Sequence, residues 1–145
     1  KDVTTDDLFK DRKVVLFSLP GAFTPTCSGQ QLPMYDELYS KFKEQGYDDV
    51  YCISVNDAFV MNAWARDLNI KNVKMIPDGC GTFTRSMGML INKPAQGFGM
   101  RSWRYAAVVK NGIVENWFEE PGLNNSSEDD DPYTVSDPEY VLQNT

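Results

Sequence analysis

Histidine is absent from all 145 residues, and so is any CxxC pair. Without imidazole the chain holds neither the Cys-His centre of a thiol hydrolase nor a mixed Cys/His zinc site, and without CxxC it lacks a local dithiol for disulfide exchange. Cysteine is scarce: Cys27, Cys52 and Cys80 stand far apart, which gives no disulfide framework and fits a reducing compartment. No apolar run approaches a membrane span, and the opening residues are too charged for a secretory signal, so membrane insertion is not expected. Lysine and arginine are missing beyond Lys110. Residues 1–110 carry 14 basic and 12 acidic side chains, whereas residues 111–145 carry nine acids and no base, within a net charge of -7. No extended basic patch exists to neutralise phosphates, so nucleic-acid binding is not expected. The acidic C-terminal part reads as a solvated face, or else as a surface that steers a partner.

What the chain does contain, 41% hydrophobic and 24% charged residues, suits one soluble core, so a single domain over residues 1–145 is expected, in the cytoplasm. The first residue is not methionine, which leaves an upstream targeting segment, and with it an organelle, compatible with the sequence. Residues 14–19 read as a buried strand stopped by Pro20-Gly21, and residues 50–55 and 73–76 as two more. A helix is expected after Pro25 with Thr24 as its cap. Pro33 has no N–H to give Gly29, which predicts a bend or a restart before Gln45. Asn56-Asp57 offers a cap to a helix whose apolar face is Phe59, Val60, Ala63, Trp64 and Leu68; residues 82–89 form a further short helix. Residues 105–109 and 113–118 flank Lys110-Asn111-Gly112, whose Asn-Gly step specifies a tight antiparallel hairpin. An acidic surface loop follows over residues 121–132. Ser136 and Pro138 then mark the start of a last helix with Val141 and Leu142 as its docking face. This order predicts an α/β sandwich closing on a hairpin.

Chemistry concentrates in residues 20–27, PGAFTPTC. A cysteine at a strand-to-helix junction meets helix N-terminal N–H groups, which with nearby positive charge favour thiolate over thiol. Cys27 is therefore the candidate nucleophile, against the plain alternative of a lone buried cysteine. Thr24 is either a helix cap or a hydroxyl that positions an oxygen-containing substrate. Cys52, in VYCI, reads as core. Cys80, in the turn DGCG, reads as an exposed free thiol, with regulation or resolution of an oxidised Cys27 as the other readings. Phe23, Phe83, Phe98 and Phe118 suit an apolar rim, a subunit contact or the core, and Gly97-Phe98-Gly99-Met100 reads as a flexible loop.

The pattern Pro20-x-x-x-Thr24-x-x-Cys27, with the strand before it, Ile53-Ser54-Val55-Asn56-Asp57, and Arg104-Tyr105 leading into the hairpin region, resembles the peroxiredoxin family. Within that family it looks like the peroxiredoxin 5 class, especially bacterial members linked to glutaredoxin. The resemblance runs from about Val3 onwards, and the β hairpin usual upstream in this family is absent from the sequence. It implies a thioredoxin-like α/β fold with a central mixed sheet flanked by helices. It also implies a thiol peroxidase acting on hydrogen peroxide and small organic (alkyl) hydroperoxides. Cys27 is then the peroxide-attacking thiolate, Thr24 the hydroxyl that orients peroxide, Pro20 a shield around the sulfur rather than a simple strand terminator, and Arg104 a cation returning to the site. Arg101 is a weaker candidate, a surface or secondary charge. Attack leaves Cys27 as a sulfenic acid and releases water or an alcohol.

The resemblance implies no bound cofactor and no metal. Some members of the class resolve the sulfenic acid with a cysteine in the loop after the final hairpin. The corresponding stretch here, GLNNSS at residues 122–127, has none. The implied route is thus a one-cysteine cycle, regenerated by glutathione or another external thiol, with glutaredoxin favoured over thioredoxin. A homodimer formed through the active-site ends of the subunits is implied as well. A different class of function is a redox-sensing interaction module in which Cys27 oxidation controls partner binding and turnover is incidental. A purely structural thioredoxin-like domain is a third, and it would give Thr24, Cys27 and Arg104 no shared task.

Overall fold

The structure, a computed structural model, describes residues 3–126 and 130–145. Residues 127–129, in the acidic loop, lie outside the described residues, and with them Ser127 of the cysteine-free stretch. Strand β1 (Lys13–Ser18) is apolar on both faces because it is the centre of a five-stranded sheet. Its parallel neighbour is β2 (Asp49–Ser54), followed outward by parallel β3 (Lys74–Pro77). On the other side the final hairpin adds two antiparallel strands, Tyr105–Lys110 next to β1 and Ile113–Glu119 at the edge.

The period-two alternation of these strands divides the core in two. Val15, Phe17, Val50, Cys52, Ala106 and Val108 face one layer of helices. Leu32 and Tyr35 come to it from the helix Leu32–Glu37, Phe42 from Tyr39–Glu44, Met61 and Trp64 from Ala58–Asp67, and Val141 from Pro138–Gln143. Val14, Leu16, Tyr51, Ile53, Tyr105, Ala107 and Val109 face the other way. They pack on Phe9 of the helix Thr5–Phe9, on Phe83 of Thr82–Ser86, and on Ile91 of a two-stranded ribbon, Leu90–Lys93 with Gly99–Ser102. Each fully buried Val, Leu, Ile, Phe or Met contributes ~1.5–3 kcal/mol against its ordering entropy. In chain order the strands are β1 to β7, with β4 and β5 the ribbon and β6 and β7 the hairpin; the helices are α1 to α6. The central mixed sheet flanked by helices is the thioredoxin-like arrangement that the resemblance implies.

The hairpin turn is built as its Asn-Gly step requires, with Asn111 and Gly112 at φ 48° and 78°. Three local expectations are corrected. Phe59 is 87% exposed, and Met61 takes the buried position on α4 that the apolar stripe assigned to it. Asp137, not Ser136, caps α6, accepting from the Tyr140 N–H. The stretch Gly97-Phe98-Gly99-Met100 is not a loop throughout: it closes the ribbon, with Gly97 in the left-handed region after a 3₁₀ turn and Gly99 and Met100 already paired in β5.

Candidate active site

Beyond β1 the chain turns tightly before a helical run begins at Pro25. The turn is pinned to the end of β2, where Asn56 Oδ1 accepts from the Ala22 N–H at 3.0 Å and the Ser54 hydroxyl at 2.6 Å. A side chain at Gly21 would displace the Arg101 guanidinium, since a Cβ there would lie 2.1 Å from Arg101 Nη1. Phe23 adopts a left-handed φ of 64°, a conformation costly for a bulky residue and held by the surrounding structure. Thr24 does not cap the helix with its hydroxyl, as the sequence suggested. The hydroxyl donates to the Gly21 carbonyl at 2.7 Å, and it is the Thr24 carbonyl that accepts from the Ser28 N–H.

Cys27 opens a π-helical turn, Cys27–Gln31, in which the Leu32 N–H reaches back to the Cys27 carbonyl. Helix α2 then restarts with Pro33 in its first turn, the restart that the missing proline N–H predicts. This turn leaves Gln31 facing inward and fully buried. Its Nε2 donates to the Ser18 carbonyl at 3.2 Å, and its Oε1 accepts from Arg104 Nε at 2.8 Å.

Arg104 comes from between β5 and β6 and is buried. Its Nη2 lies 3.4 Å from Cys27 Sγ, and its Nη1 donates to Asp131 Oδ1 at 2.7 Å and to the Pro132 carbonyl at 2.9 Å. The Tyr133 ring lies 5.7 Å from the guanidinium. Burial works against the charge, but the Cys27 sulfur and the Asp131 carboxylate outweigh it, and the guanidinium pKa rises above its ordinary value. Arg101 is not a free surface charge. It donates to the Pro20 carbonyl at 3.0 Å and to the Phe98 carbonyl at 3.2 Å, and burial lowers its pKa against the opposing pull of Cys27.

Pro20, Thr24 and Arg104 line one cavity of about 200 Å³. Its apolar wall is made by Pro20, Pro25, Phe98, Trp103 and Pro132. Cys27 is buried behind this wall and meets it through Arg104. Three of the four residues singled out in the sequence therefore line one space, and Cys27, which does not line it, is joined to it by its contact with Arg104. Of the four phenylalanines only Phe98 lines it. Phe23 is 53% exposed, 6.5 Å from the Trp64 ring, while Phe83 and Phe118 pack against the two cores. Cys52 is buried in β2, where desolvation pushes its thiol pKa well up, and Cys80 is exposed in the turn after β3. Among the described residues no group of three or more Cys, Asp or Glu side chains is placed to hold a metal ion.

Sequence reasoning missed Gln31, Lys93 and Asp131. Pro33 was a signal for the first, because a restarted helix re-aims the turn before it. Lys93 lines the cavity with its ammonium on Asn124 Oδ1 and the Ser126 carbonyl, 5.3 Å from the Trp103 ring, and nothing in its local sequence marks it. Asp131 stood in an acidic run that reads as solvated surface.

An arrangement of this kind, a cysteine sulfur facing a buried guanidinium beside a small, mostly apolar cavity, stabilises anionic sulfur and charge developing on a departing oxygen. Comparison with known proteins gives the family. The model of the Redoxin family matches residues 1–135. A peroxiredoxin of Rhizobium etli is 60% identical over 143 residues, 99% of this chain and 79% of that protein. The hybrid peroxiredoxin hyPrx5 of Haemophilus influenzae is 54% identical over 142 residues, 98% of this chain and 57% of that protein. The crystal structure of the Plasmodium falciparum antioxidant protein, a 1-Cys peroxiredoxin, superposes with a TM-score of 0.93 at 42% identity, covering 97% of this chain and 81% of that one. With relatives more than half identical along nearly the whole chain, and a family match that takes in the Cys27 turn, the hairpin and Asp131 together, this chain belongs to the peroxiredoxins, in the class of peroxiredoxin 5, and is a thiol peroxidase.

Proposed function

We propose that Cys27 is the thiolate that attacks the peroxide and that Arg104, Thr24 and Pro20 complete its site. The observation that carries this reading is the 3.4 Å approach of Arg104 Nη2 to Cys27 Sγ behind the cavity. The sulfur attacks one peroxide oxygen in line with the O–O bond: an S–O bond forms, the O–O bond breaks, and its electron pair leaves with the second oxygen. That oxygen takes a proton and departs as water from hydrogen peroxide or as an alcohol from an alkyl hydroperoxide. Arg104 stabilises the anionic sulfur before attack and the leaving oxygen during it. The Thr24 hydroxyl, fixed on the Gly21 carbonyl, presents its lone pairs to the peroxide, and Pro20 shields the sulfur.

The sulfenic acid is then reduced from outside. An external thiol attacks the Cys27 sulfur, water leaves, and the mixed disulfide is cleared by a second thiol. In support, the stretch GLNNSS at residues 122–127, after the final hairpin, has no cysteine, and the structurally similar Plasmodium protein is named a 1-Cys peroxiredoxin. Glutathione delivered by glutaredoxin is the reductant we assign, with thioredoxin second, in a reducing compartment such as the cytoplasm. We also infer a homodimer formed through the active-site end, where Phe23 and Met100 are apolar and half exposed. The test is single-turnover oxidation by substoichiometric hydrogen peroxide, followed by intact mass and by recovery with glutathione and glutaredoxin or with thioredoxin. Cys27→Ser is expected to drop to the rate of background thiol oxidation. A Cys27→Ser protein as fast as wild type would sink the assignment.

A further inference from the structure

Glu120 follows β7 directly and is fully buried, although it is 93 residues from Cys27 in the chain. Its Oε1 accepts from the Thr134 N–H at 2.8 Å and the Thr134 hydroxyl at 3.1 Å. Its Oε2 accepts from the Val135 N–H at 3.0 Å, the Ser136 N–H at 2.8 Å and the Ser136 hydroxyl at 2.6 Å. Helix α6 does not require this, because Asp137 already caps it. The backbone of Glu120 is tied to the other side of the site: its N–H donates to the Arg104 carbonyl at 3.2 Å, and its carbonyl accepts from Trp103 Nε1 at 2.7 Å. Burial opposes the charge of this carboxylate, but the bonds from Ser136, Thr134 and Val135 outweigh it and hold its pKa below the ordinary value.

The chain gathered by Glu120 is continuous with the chain that wraps Arg104. Residues 131–133 give Arg104 the Asp131 carboxylate, the Pro132 carbonyl and the Tyr133 ring. We propose that Glu120 is a positioning residue for peroxide reduction: by holding residues 134–136 it keeps Asp131 and Pro132 on Nη1 of Arg104 and so fixes Nη2 on the Cys27 sulfur. The guanidinium is a rigid planar fork. With Nε on Gln31 and Nη1 on residues 131 and 132, the direction of Nη2 is determined; with Nη1 released, the fork keeps a single anchored corner and swings. This role rests on the reading of Cys27 as the attacking thiolate.

The experiment is a double-mutant cycle on peroxide oxidation followed by stopped flow, with wild type, Glu120→Gln, Arg104→Lys and the double variant, and a thermal melt of each. Glu120→Gln keeps the side-chain shape but presents an NH₂ to groups that are themselves donors. The expected result is a rate loss of about tenfold in the wild-type background and less than about twofold on Arg104→Lys, where the group being positioned is already gone. A wild-type rate for Glu120→Gln, or the same factor lost in both backgrounds, overturns the proposal whatever happens to the melting temperature. If Glu120→Gln does not fold, Ser136→Ala removes one donor, leaves the carboxylate in place and is taken through the same cycle, with an expected loss of about threefold that vanishes on Arg104→Lys. A Cys27→Ser control separates the two readings. Fast peroxide consumption there removes the role of Cys27, whereas its loss there together with an additive cycle removes only the role of Glu120.

Discussion

Cys27 and Cys52 are buried in the same apolar core and differ in what stands opposite the sulfur. Cys52 lies in β2, in register with Phe17 on one side and Met75 on the other, and burial pushes its thiol pKa well above the ordinary value, with Cys27 adding to the effect. Cys27 lies at the start of a helical run with a guanidinium 3.4 Å from its sulfur. On the role proposed for Cys27, burial alone does not sort a reactive cysteine from an inert one. The partner does: desolvation favours the neutral thiol unless a fixed cation takes the place of water.

The sharpest way to break this comparison is to remove the cation. Arg104→Gln is expected to slow peroxide oxidation of Cys27 by about 10²–10³-fold, the scale of losing one pre-organised charge stabiliser. Arg104→Lys is expected to recover only part of that, since an ammonium cannot hold Gln31, Asp131 and the sulfur with one rigid fork. A wild-type rate for Arg104→Gln in stopped flow would mean that Cys27 differs from Cys52 for some reason other than its partner.

Cys52 tests the other side. Cys52→Ser buries a hydroxyl in a site built for sulfur and is expected to cost ~1–3 kcal/mol in urea unfolding. Peroxide oxidation of the folded protein is expected to stay at the wild-type rate. A stable Cys52→Ser protein with impaired peroxide reduction would place Cys52 in the chemistry and merge the two environments.

Half of this contrast was legible in the sequence. PGAFTPTC following an apolar run marked a cysteine at a strand-to-helix junction, Pro33 marked the restart, and VYCI marked Cys52 as core; these are short-range patterns. The strands of the ribbon, LINK and GMRS, escaped notice because their sequences carry weak strand preference and they form by pairing with each other. Arg101 was undervalued, Glu120 passed as part of the acidic surface and Lys93 went unread, because nothing local marks a charged residue as buried, and nothing marks the exposed Asp131 as the partner of a buried one. Each is recruited by a partner distant in sequence, as with Arg104 and Asp131, 27 residues apart. Long-range polar pairing is a property of the fold, and it is invisible to periodicity.

A smaller effect follows from pH. The folded protein keeps the Cys52 proton above the range in which a free thiol, at about 8.5, gives it up. Above that value the unfolded chain binds fewer protons than the folded one, so stability is full at lower pH and declines as pH rises. Tyr35 and Tyr105, both raised by burial, extend the decline to higher pH. Measured in a Cys27→Ser background, the urea midpoint is expected to fall between about pH 8 and 10. Cys52→Ala added to that background is expected to make the slope shallower. An unchanged slope would show that Cys52 does not hold its proton more tightly in the fold than out of it.

Cys80 gives the smallest expected effect and bears on whether the cycle stays a one-cysteine cycle. Its turn leans on the same feature as the Cys27 loop: a Cβ on Gly79 would lie 3.5 Å from Asp57 Cα, and the neighbouring Asn56 holds the Ala22 N–H. Cys80 is exposed, however, while the Cys27 sulfur faces inward beside Arg104. A disulfide needs the two Cα atoms within roughly 7 Å and their side chains directed at each other. Meeting that requirement would mean turning an inward sulfur out towards solvent, and with it the π-helical turn that carries Cys27. An external thiol also needs the buried sulfur uncovered, but it is free of that fixed distance between two Cα atoms. Cys80→Ser is therefore expected to change steady-state turnover with glutathione and glutaredoxin by less than about twofold and to leave the preference between reductants as it was. A normal first oxidation followed by loss of thiol-dependent turnover would instead make Cys80 the resolving thiol, and the Cys27 turn would have to unwind in every cycle.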